Sequence, residues 1–265
     1  MKAFWSGKAG SDRVEENNWG DVIAPVIIEA LSGQVPTNRR KKTGGRLVTV
    51  GSLMHRIRPG DHMWGTGMLS PDKVVTPLPP GVVFHAVRGP MTRDVLLGMG
   101  ADVPAIYGDP ALLIPYILKI PEQEITHELG IIPHYCDVQA VQHLASPSVK
   151  IIDICGGIEQ VIKEVLSCET ILASSLHGVI LGDAYKKKTA WLRVANATNL
   201  IGGDWKFHDY YASTNREAIP TDLTDAGGLP PIRWADQADI DLSPLLQACP
   251  FNKFGYRTVT ELSGR

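Results

Sequence analysis

The chain has 265 residues, of which 44% are hydrophobic and 20% are charged, and its formal net charge is −2. These values are typical of a folded globular protein, and they exclude a disordered low-complexity chain and a nucleic-acid binder with a broad basic face. No apolar run reaches the roughly 18 residues that cross a bilayer, and the start of the chain lacks the apolar core of a signal peptide. We therefore expect a cytoplasmic protein.

The charge is unevenly distributed along the chain. Residues 1–60 contain ten basic and five acidic residues, whereas the remainder carries a net charge of −7. The basic residues are concentrated in the segment 39–42. Two interpretations stay open for this segment: a solvated loop before a strand, or a patch that contacts an anionic membrane surface or an anionic substrate.

The sequence predicts neither a structural metal site nor a disulfide framework. The four cysteines are widely spaced and form no C-x-x-C pair, which is typical of free thiols in a reducing compartment. The H-E-x-x-H, G-x-S-x-G and Walker motifs are also absent from the sequence, so it offers no familiar metal, serine-nucleophile or nucleotide signature.

The first half of the chain alternates between short β-branched runs and helical patterns, which is typical of an α/β fold with mostly parallel strands. We expect strands at 2–5, 47–50 and 82–87. A helix is expected from residue 20 to residue 31, ending at Gly33, because glycine favours the left-handed position after a helix. A second helix is expected from Pro90 to Gly98.

The second half begins after a proline-containing and then acidic segment at 113–128. We expect strands at 130–133, 150–154, 170–173 and 189–193, and helices at 138–144, 158–166, 176–184 and 243–249. This series is typical of a doubly wound domain. The sequence therefore predicts two Rossmann-like domains, residues 1–118 and 119–265, that face a central cleft.

Polar residues occur at the points where predicted strands lead into helices. Ligands of doubly wound sheets bind at the carboxyl ends of the strands, so we expect these side chains to line the cleft: Asn18, Asp21, Ser52, Arg88, Arg93, Asp109, His134, Ser174, Ser175 and His177.

The segment Ser174-Ser175-Leu176-His177-Gly178 is the most informative of these junctions. Small hydroxyl residues at the start of a helix can hold an anion at its positive end. His177 falls in the first turn, where an imidazole can exchange protons near neutral pH. The alternative interpretation is a capped helix with a packed histidine.

Three cationic residues are candidates for holding an anion. Arg88 and Arg93 flank the start of a predicted helix, and arginine offers bidentate donors that suit phosphate or carboxylate. Lys206 follows Gly202-Gly203, which we expect to form a turned loop that brings the lysine over a ligand. Surface salt bridges for the arginines and a plain aromatic core around Lys206 are the alternatives.

Together these motifs resemble the polysaccharide pyruvyl transferase family. Eight stretches carry the resemblance in family order, with a weaker match at 250–252: residues 17–21, 50–53, 64–67, 87–93, 107–113, 131–135, 174–178 and 206–211. One departure is visible, because Val22-Ile23-Ala24 follow Asp21 where many members have further polar residues. A direct ligand role in this stretch is therefore expected to end at Asp21.

The resemblance implies a transferase that moves the enolpyruvyl group of phosphoenolpyruvate onto two hydroxyls of a sugar. The product is a 1-carboxyethylidene ketal on a lipid-linked exopolysaccharide repeat unit, and phosphate is released. It implies a GT-B-like fold with the acceptor on the side of the first domain and the donor on the side of the second. It also implies that phosphoenolpyruvate is the donor substrate and that no cofactor or metal is needed.

The resemblance further suggests a role for each candidate residue. His177 is expected to act as the acid and base, with His134 in reserve. Arg88 and Lys206 are expected in catalysis and, together with Arg93, as the cations that hold the donor. Asp21 or Asp109 is expected to orient a sugar hydroxyl, and the remaining substrate-binding residues are Asn18, Ser52, Ser174 and Ser175.

Two other functions stay open. A GT-B glycosyltransferase would use a nucleotide sugar, with Glu159 or Asp183 as the acid that binds the ribose. A non-catalytic carbohydrate-binding protein would keep the fold without the chemistry. The sequence also leaves open whether the chain forms a homo-oligomer and whether segment 39–42 contacts the inner face of a membrane.

Overall fold

The computed structural model describes residues 1–7, 17–39, 44–195, 203–224 and 227–251. In these ranges the chain is a mixed α/β protein with two parallel sheets of five strands each. The α/β class and the parallel strands predicted from the sequence are confirmed. Arg40 to Lys42, Gly202 and Asn252, which the sequence analysis included, lie outside the described residues.

The first sheet is formed by residues from the first third of the chain. Its strands run, in spatial order, β2 (Thr37–Asn38), β1 (Lys2–Phe4), β3 (Leu47–Val48), β4 (His62–Trp64) and β5 (Val83–Ala86). The helices of this part are α1 (Trp19–Val22), α2 (Ala24–Ser32), α3 (Pro90–Gly98) and α4 (Ile114–Ile117).

The second sheet is formed by residues 127–223. Its strands run, in spatial order, β10 (Pro220–Leu223), β9 (Lys188–Val194), β8 (Cys168–Ala173), β6 (His127–Ile132) and β7 (Val149–Ile151). The helices are α5 (Val138–Val141), α6 (Ile158–Leu166), α7 (Leu176–Ala184), α8 (Trp205–Ser213) and α9 (Ser243–Gln247). None of the helices in the described ranges has the length and apolar character needed to cross a membrane.

Both sheets have the same strand order, in which the first strand lies between the second and the third. In such sheets the connections after the first and third strands leave toward opposite faces and open a crevice at the carboxyl edge. The pairing register places Phe4 of β1 opposite Val48 of β3. It likewise places Ile132 of β6 opposite Ala173 of β8, so each crevice begins at neighbouring strand ends.

The structure differs from the expected elements in two instructive places. The single helix expected at 20–31 is divided into α1 and α2 at Ile23, because Pro25 in the first turn of α2 lacks an N–H and restricts the residue before it. Gly33 ends α2 with φ of 66°, as predicted. The loop expected around Lys206 is the helix α8.

Contacts between the two halves are extensive. The Trp19 amide donates to Ile154 O at 2.9 Å, and the Trp64 indole donates to Leu245 O of α9 at 2.8 Å. The boundary expected after residue 118 falls between α4 and β6, whereas α9 packs against the first sheet. The division into domains 1–118 and 119–265 stays a prediction.

A buried ion pair joins the start of α3 to α8. Arg88 donates from Nε to Asp209 Oδ2 at 3.0 Å, and both side chains are fully buried. Thr92 donates to the same carboxylate from its amide and its hydroxyl, each at 2.8 Å. A Cβ on Gly89 would lie 2.0 Å from the Asp209 carbonyl oxygen, so only glycine permits this approach.

We expect Asp209→Ala to lower the free energy of unfolding by about 3–5 kcal/mol, because the substitution leaves a buried guanidinium without its counter-charge. The matched control is Asp222→Ala. Asp222 pairs with Arg193 at the surface, and such exposed pairs contribute about 1 kcal/mol or less. Urea denaturation of both variants measures the difference, and equal losses would contradict the prediction.

Candidate active site

A cleft of about 270 Å³ lies where the crevices of the two sheets face each other. Ser6 follows β1 and Ser52 follows β3, whereas His134 follows β6 and Ser175 follows β8. The carboxyl ends of the first and third strands of both sheets therefore contribute to one site. The sequence rule that placed ligands at strand ends predicted this location.

The structure brings seven of the eleven predicted residues to the surface of this cleft, and four lie behind or away from it. The seven that line it are Asn18, Asp21, Ser52, His134, Ser175, His177 and Lys206. Arg88, Arg93, Asp109 and Ser174 are not among the lining residues.

His177 lies in the first turn of α7 and is packed between the two halves. A Cβ on Gly20 of α1 would lie only 1.9 Å from His177 Nδ1, so the glycine leaves room for the ring. On the opposite side, Nε2 lies 3.8 Å from Asp109 Oδ2. Both of these atoms are buried and have no hydrogen-bond partner within the described residues.

The surroundings of His177 keep its imidazole neutral near pH 7. Burial, followed by the charges of Lys206, Arg88 and His134, lowers the pKa of His177 to about 3. Burial raises the pKa of Asp109 to about 6. A neutral imidazole with a carboxylate behind it can accept a proton, and the carboxylate then stabilises the imidazolium that forms.

Lys206 projects into the cleft from the first turn of α8. Its side chain is buried, and its ammonium makes no hydrogen bond or ion pair with another residue of the described ranges. Burial, with a contribution from Arg88, lowers the pKa of Lys206 to about 8. Burial raises the pKa of Asp21 to about 6, against the opposing effect of Lys206. The Lys206 Nζ lies 5.6 Å from the centroid of the Phe207 ring. A buried cation whose described contacts include no counter-charge is suited to an anionic ligand.

The two serines before α7 have different environments. Ser174 donates to Asp137 Oδ2 at 2.6 Å and accepts from the His134 amide at 2.9 Å, so it fixes the loop that carries His134. Ser175 is the N-cap of α7, but its side chain makes no capping hydrogen bond. Its hydroxyl and the positive end of α7 therefore face the cleft together.

His134 and Asn18 complete the polar wall of the cleft. Burial and the charge of Lys206 lower the pKa of His134 to about 4, so a second neutral imidazole borders the site. Asn18 accepts from the Gly20 amide at 3.1 Å and caps α1. The cap fixes the start of the helix that carries Asp21 and Gly20.

The position of Arg88 differs from the expectation that it holds the donor. Besides its pair with Asp209, its guanidinium donates to Ser52 Oγ at 2.6 Å and to Met68 O at 2.8 Å. It lies behind the cleft, and its donors are used by protein partners. Arg88 thus connects α8 to Ser52 and positions the cleft wall.

Arg93 and the acids considered for a ribose also lie away from the cleft. Arg93 Nε donates to Val103 O at 2.9 Å. Asp183 accepts from the Tyr210 hydroxyl at 2.7 Å and pairs with Arg216 in a buried network. Glu159 is paired with Lys163 on the surface of α6.

Arg56, which was not predicted from the sequence, lines the cleft from a 3-10 turn at Met54–Arg56. Arg56 is exposed, and its guanidinium has no protein partner in the described ranges. His55 also lines the cleft, and burial lowers its pKa. Arg56 could have been predicted, because His55-Arg56 is a basic pair in the loop after β3 that also contains Ser52. Ser6 was not predicted as a lining residue, and Tyr135, next to the predicted His134, also lines the cleft.

The described residues contain no group of three or more histidine, cysteine, aspartate or glutamate side chains placed to hold a metal ion. The polar lining groups are hydroxyls, an amide, imidazoles, a carboxylate and two cations. Such a set can bind a small anion and transfer protons.

We expect the imidazole of His177 to stay neutral down to about pH 4 in the folded protein, because its pKa is about 3. Lys206→Met should raise this pKa, since the substitution removes a nearby positive charge that disfavours the imidazolium. NMR titration of the histidine ring signals, assigned with His177→Gln, measures both values. A wild-type pKa near 6.5, or no change in Lys206→Met, would contradict the prediction.

Comparison with known proteins agrees with the motif-based expectation. Residues 73–196 match the family model described as polysaccharide pyruvyl transferase. The resemblance predicted from the sequence is confirmed for this part of the chain, which contains α3, β6, β8 and α7 with His177.

Two individual proteins are similar to the chain. An uncharacterized protein of Acanthamoeba polyphaga mimivirus is 33% identical over 168 residues, which are 61% of this chain and 57% of that protein. The match therefore spans little more than half of the relative. A functionally uncharacterized protein from Klebsiella pneumoniae, known from its crystal structure, is 11% identical with a TM-score of 0.44. That comparison covers 86% of this chain and 93% of the other.

Proposed function

We propose that this chain is a pyruvyl transferase of polysaccharide synthesis that uses phosphoenolpyruvate as its donor. The premise is the match of residues 73–196 to the polysaccharide pyruvyl transferase family. The observation that carries the proposal is the buried Lys206 ammonium beside the neutral His177 imidazole in one cleft. The proposed reaction requires both anion binding and proton transfer.

The cleft offers two cations and a helix end to a donor that carries a phosphate and a carboxylate. Lys206 lies at the inner wall and Arg56 at the exposed edge. The N-terminus of α7, where the Ser175 hydroxyl makes no capping hydrogen bond, is a third feature that favours negative charge. In this arrangement Arg56 binds the anionic donor, the role that was expected from the sequence for Arg88 and Arg93.

The proposed reaction breaks the bond between C2 of the donor and its phosphate oxygen and forms two bonds from C2 to sugar oxygens. His177 accepts the proton of the first attacking hydroxyl and delivers it to the methylene carbon, which becomes a methyl group. The proton of the second hydroxyl leaves with the phosphate. Asp109, whose carboxylate lies 3.8 Å behind the ring, stabilises the transient imidazolium.

The acceptor side of the proposal rests on Asp21 and on the charge of the first half. Asp21 faces the cleft beside Asn18 and can orient a sugar hydroxyl. We propose a GT-B-like arrangement in which a lipid-linked acceptor enters from the cytoplasmic face of a membrane. The net positive charge of residues 1–60 supports contact with such an anionic surface.

The nucleotide-sugar alternative has less support at this site. Glu159 and Asp183, the acids considered for a ribose, are paired with protein cations away from the cleft. The loop from Pro133 to Asp137 contains no glycine, whereas a backbone that approaches a diphosphate closely needs one.

We expect the protein to release phosphate from phosphoenolpyruvate when it is given a suitable glycoside. His177→Gln should lower kcat by about 10²–10⁴-fold, because it removes the proton-transfer group while preserving a polar side chain. A phosphate assay and product mass over a panel of glucosides, galactosides and mannosides measure this. Full activity of a folded His177→Gln protein would contradict the assignment, and transfer from a nucleotide sugar would support the alternative.

We expect Arg56→Ala and Lys206→Met each to raise the Kd for phosphoenolpyruvate by about 10–100-fold, the effect of losing one charge-assisted hydrogen bond. Arg93→Ala is the matched control, because Arg93 lies away from the cleft. Isothermal titration calorimetry with each variant measures the affinities. An unchanged Kd in Arg56→Ala, or an equal loss in Arg93→Ala, would contradict the donor site described above.

A further inference from the structure

We propose that a second pocket, adjacent to the cleft, binds one neutral sugar ring of the acceptor glycan. This ring is the neighbour of the sugar that is modified in the cleft. The pocket has a volume of about 460 Å³ and is lined by Pro133, Tyr135, Val138, Gln142, Ile151 and Asp153. The assignment of this ring to the acceptor rests on the proposed function. The binding of a sugar ring itself does not.

The pocket adjoins the cleft through a shared side chain. Tyr135 lines both cavities, and its ring packs against that of His134, with centroids 4.2 Å apart. The second pocket lies at the carboxyl ends of β6 and β7, the edge of the sheet on which the cleft itself opens. The next sugar ring of a glycan bound in the cleft can therefore reach this second pocket.

The lining combines apolar surface with a few polar groups, which is the composition of small-molecule pockets of this size. The Tyr135 ring and the apolar Pro133, Val138 and Ile151 side chains offer surface to the C–H face of a sugar. Gln142 and Asp153 are exposed and offer an amide and a carboxylate to its hydroxyls.

The Asp153 carboxylate is held in place for such a role. Its Oδ1 accepts from the Cys155 amide at 2.9 Å, which fixes the orientation of the group and leaves Oδ2 available. The residue follows the second strand of the sheet, at the carboxyl edge where doubly wound folds bind their ligands. A carboxylate at this position suits a pair of neighbouring hydroxyls.

A neutral glycan fits the pocket better than a nucleotide, the other source of a sugar ring. Asp137 is the N-cap of α5, and its side chain is buried at the point where a diphosphate would have to approach. Helix α5 has only four residues, and the loop before it lacks glycine. An acidic residue at the cap repels an anion, whereas an uncharged pyranose meets no such penalty.

The test is saturation-transfer NMR titration of the full chain with lactose, cellobiose, maltose and mannobiose, with uridine 5′-monophosphate as the nucleotide probe. We expect at least one disaccharide to bind, and Asp153→Asn and Gln142→Ala each to weaken that binding at least tenfold. Asp153→Asn keeps an oxygen for the Cys155 amide. Glu169→Gln, an exposed carboxylate at the amino end of β8, is the matched control and should bind like the wild type.

Three outcomes would overturn the proposal: no disaccharide binds, the variants bind as tightly as the wild type, or only the nucleotide binds and Asp153→Asn abolishes that binding. Calorimetry with phosphoenolpyruvate on the same proteins separates this proposal from the proposed function. The two pocket variants should keep the wild-type affinity for the donor. If the wild-type protein does not bind phosphoenolpyruvate, that result contradicts the proposed function and not the sugar pocket.

Discussion

The Arg88–Asp209 ion pair is the interaction on which the arrangement of the site depends. It joins the start of α3 in the first half to α8 in the second, and Thr92 completes the shell around the carboxylate. Lys206 lies three residues before Asp209 and so on the same side of α8. By anchoring Asp209, the pair therefore fixes the direction in which the Lys206 ammonium enters the cleft.

Desolvation determines the chemical character of the cleft. Burial raises the pKa of Asp21 and lowers the pKa values of His177, His134 and Lys206, so each group is brought closer to its neutral form. A bound dianion would offset part of this cost for the cationic groups and raise their pKa values. The packing of the two halves thus produces the desolvation that favours an anionic ligand, such as the proposed donor.

Much of the fold could be predicted from the sequence, because its signals are local. The bounds of α3, α6 and α7 agree with the expected helices, since proline, glycine and the apolar period act within a few residues. Short strands such as β2 and β4 were missed because two or three residues show no alternation. Helix α8 was missed because the preceding glycines suggested a loop, whereas the packing of Phe207 and Tyr210 in the core stabilises a helix.

The α/β fold class, the strand ends that carry polar residues and the resemblance to a transferase family could all be predicted from the sequence, because each depends on the order and spacing of residue types. Tertiary contacts, in contrast, determine which arginine lines the cleft. Arg88 and Arg56 both follow strands of the first sheet, but Arg88 is neutralised by Asp209, 121 positions away in the chain. Arg56 meets no such partner in the described residues and stays open to a ligand. The spacing of residues along the chain does not show that Arg88 will meet this distant carboxylate. The difference between a paired, buried arginine and an exposed arginine in the cleft therefore arises only on folding.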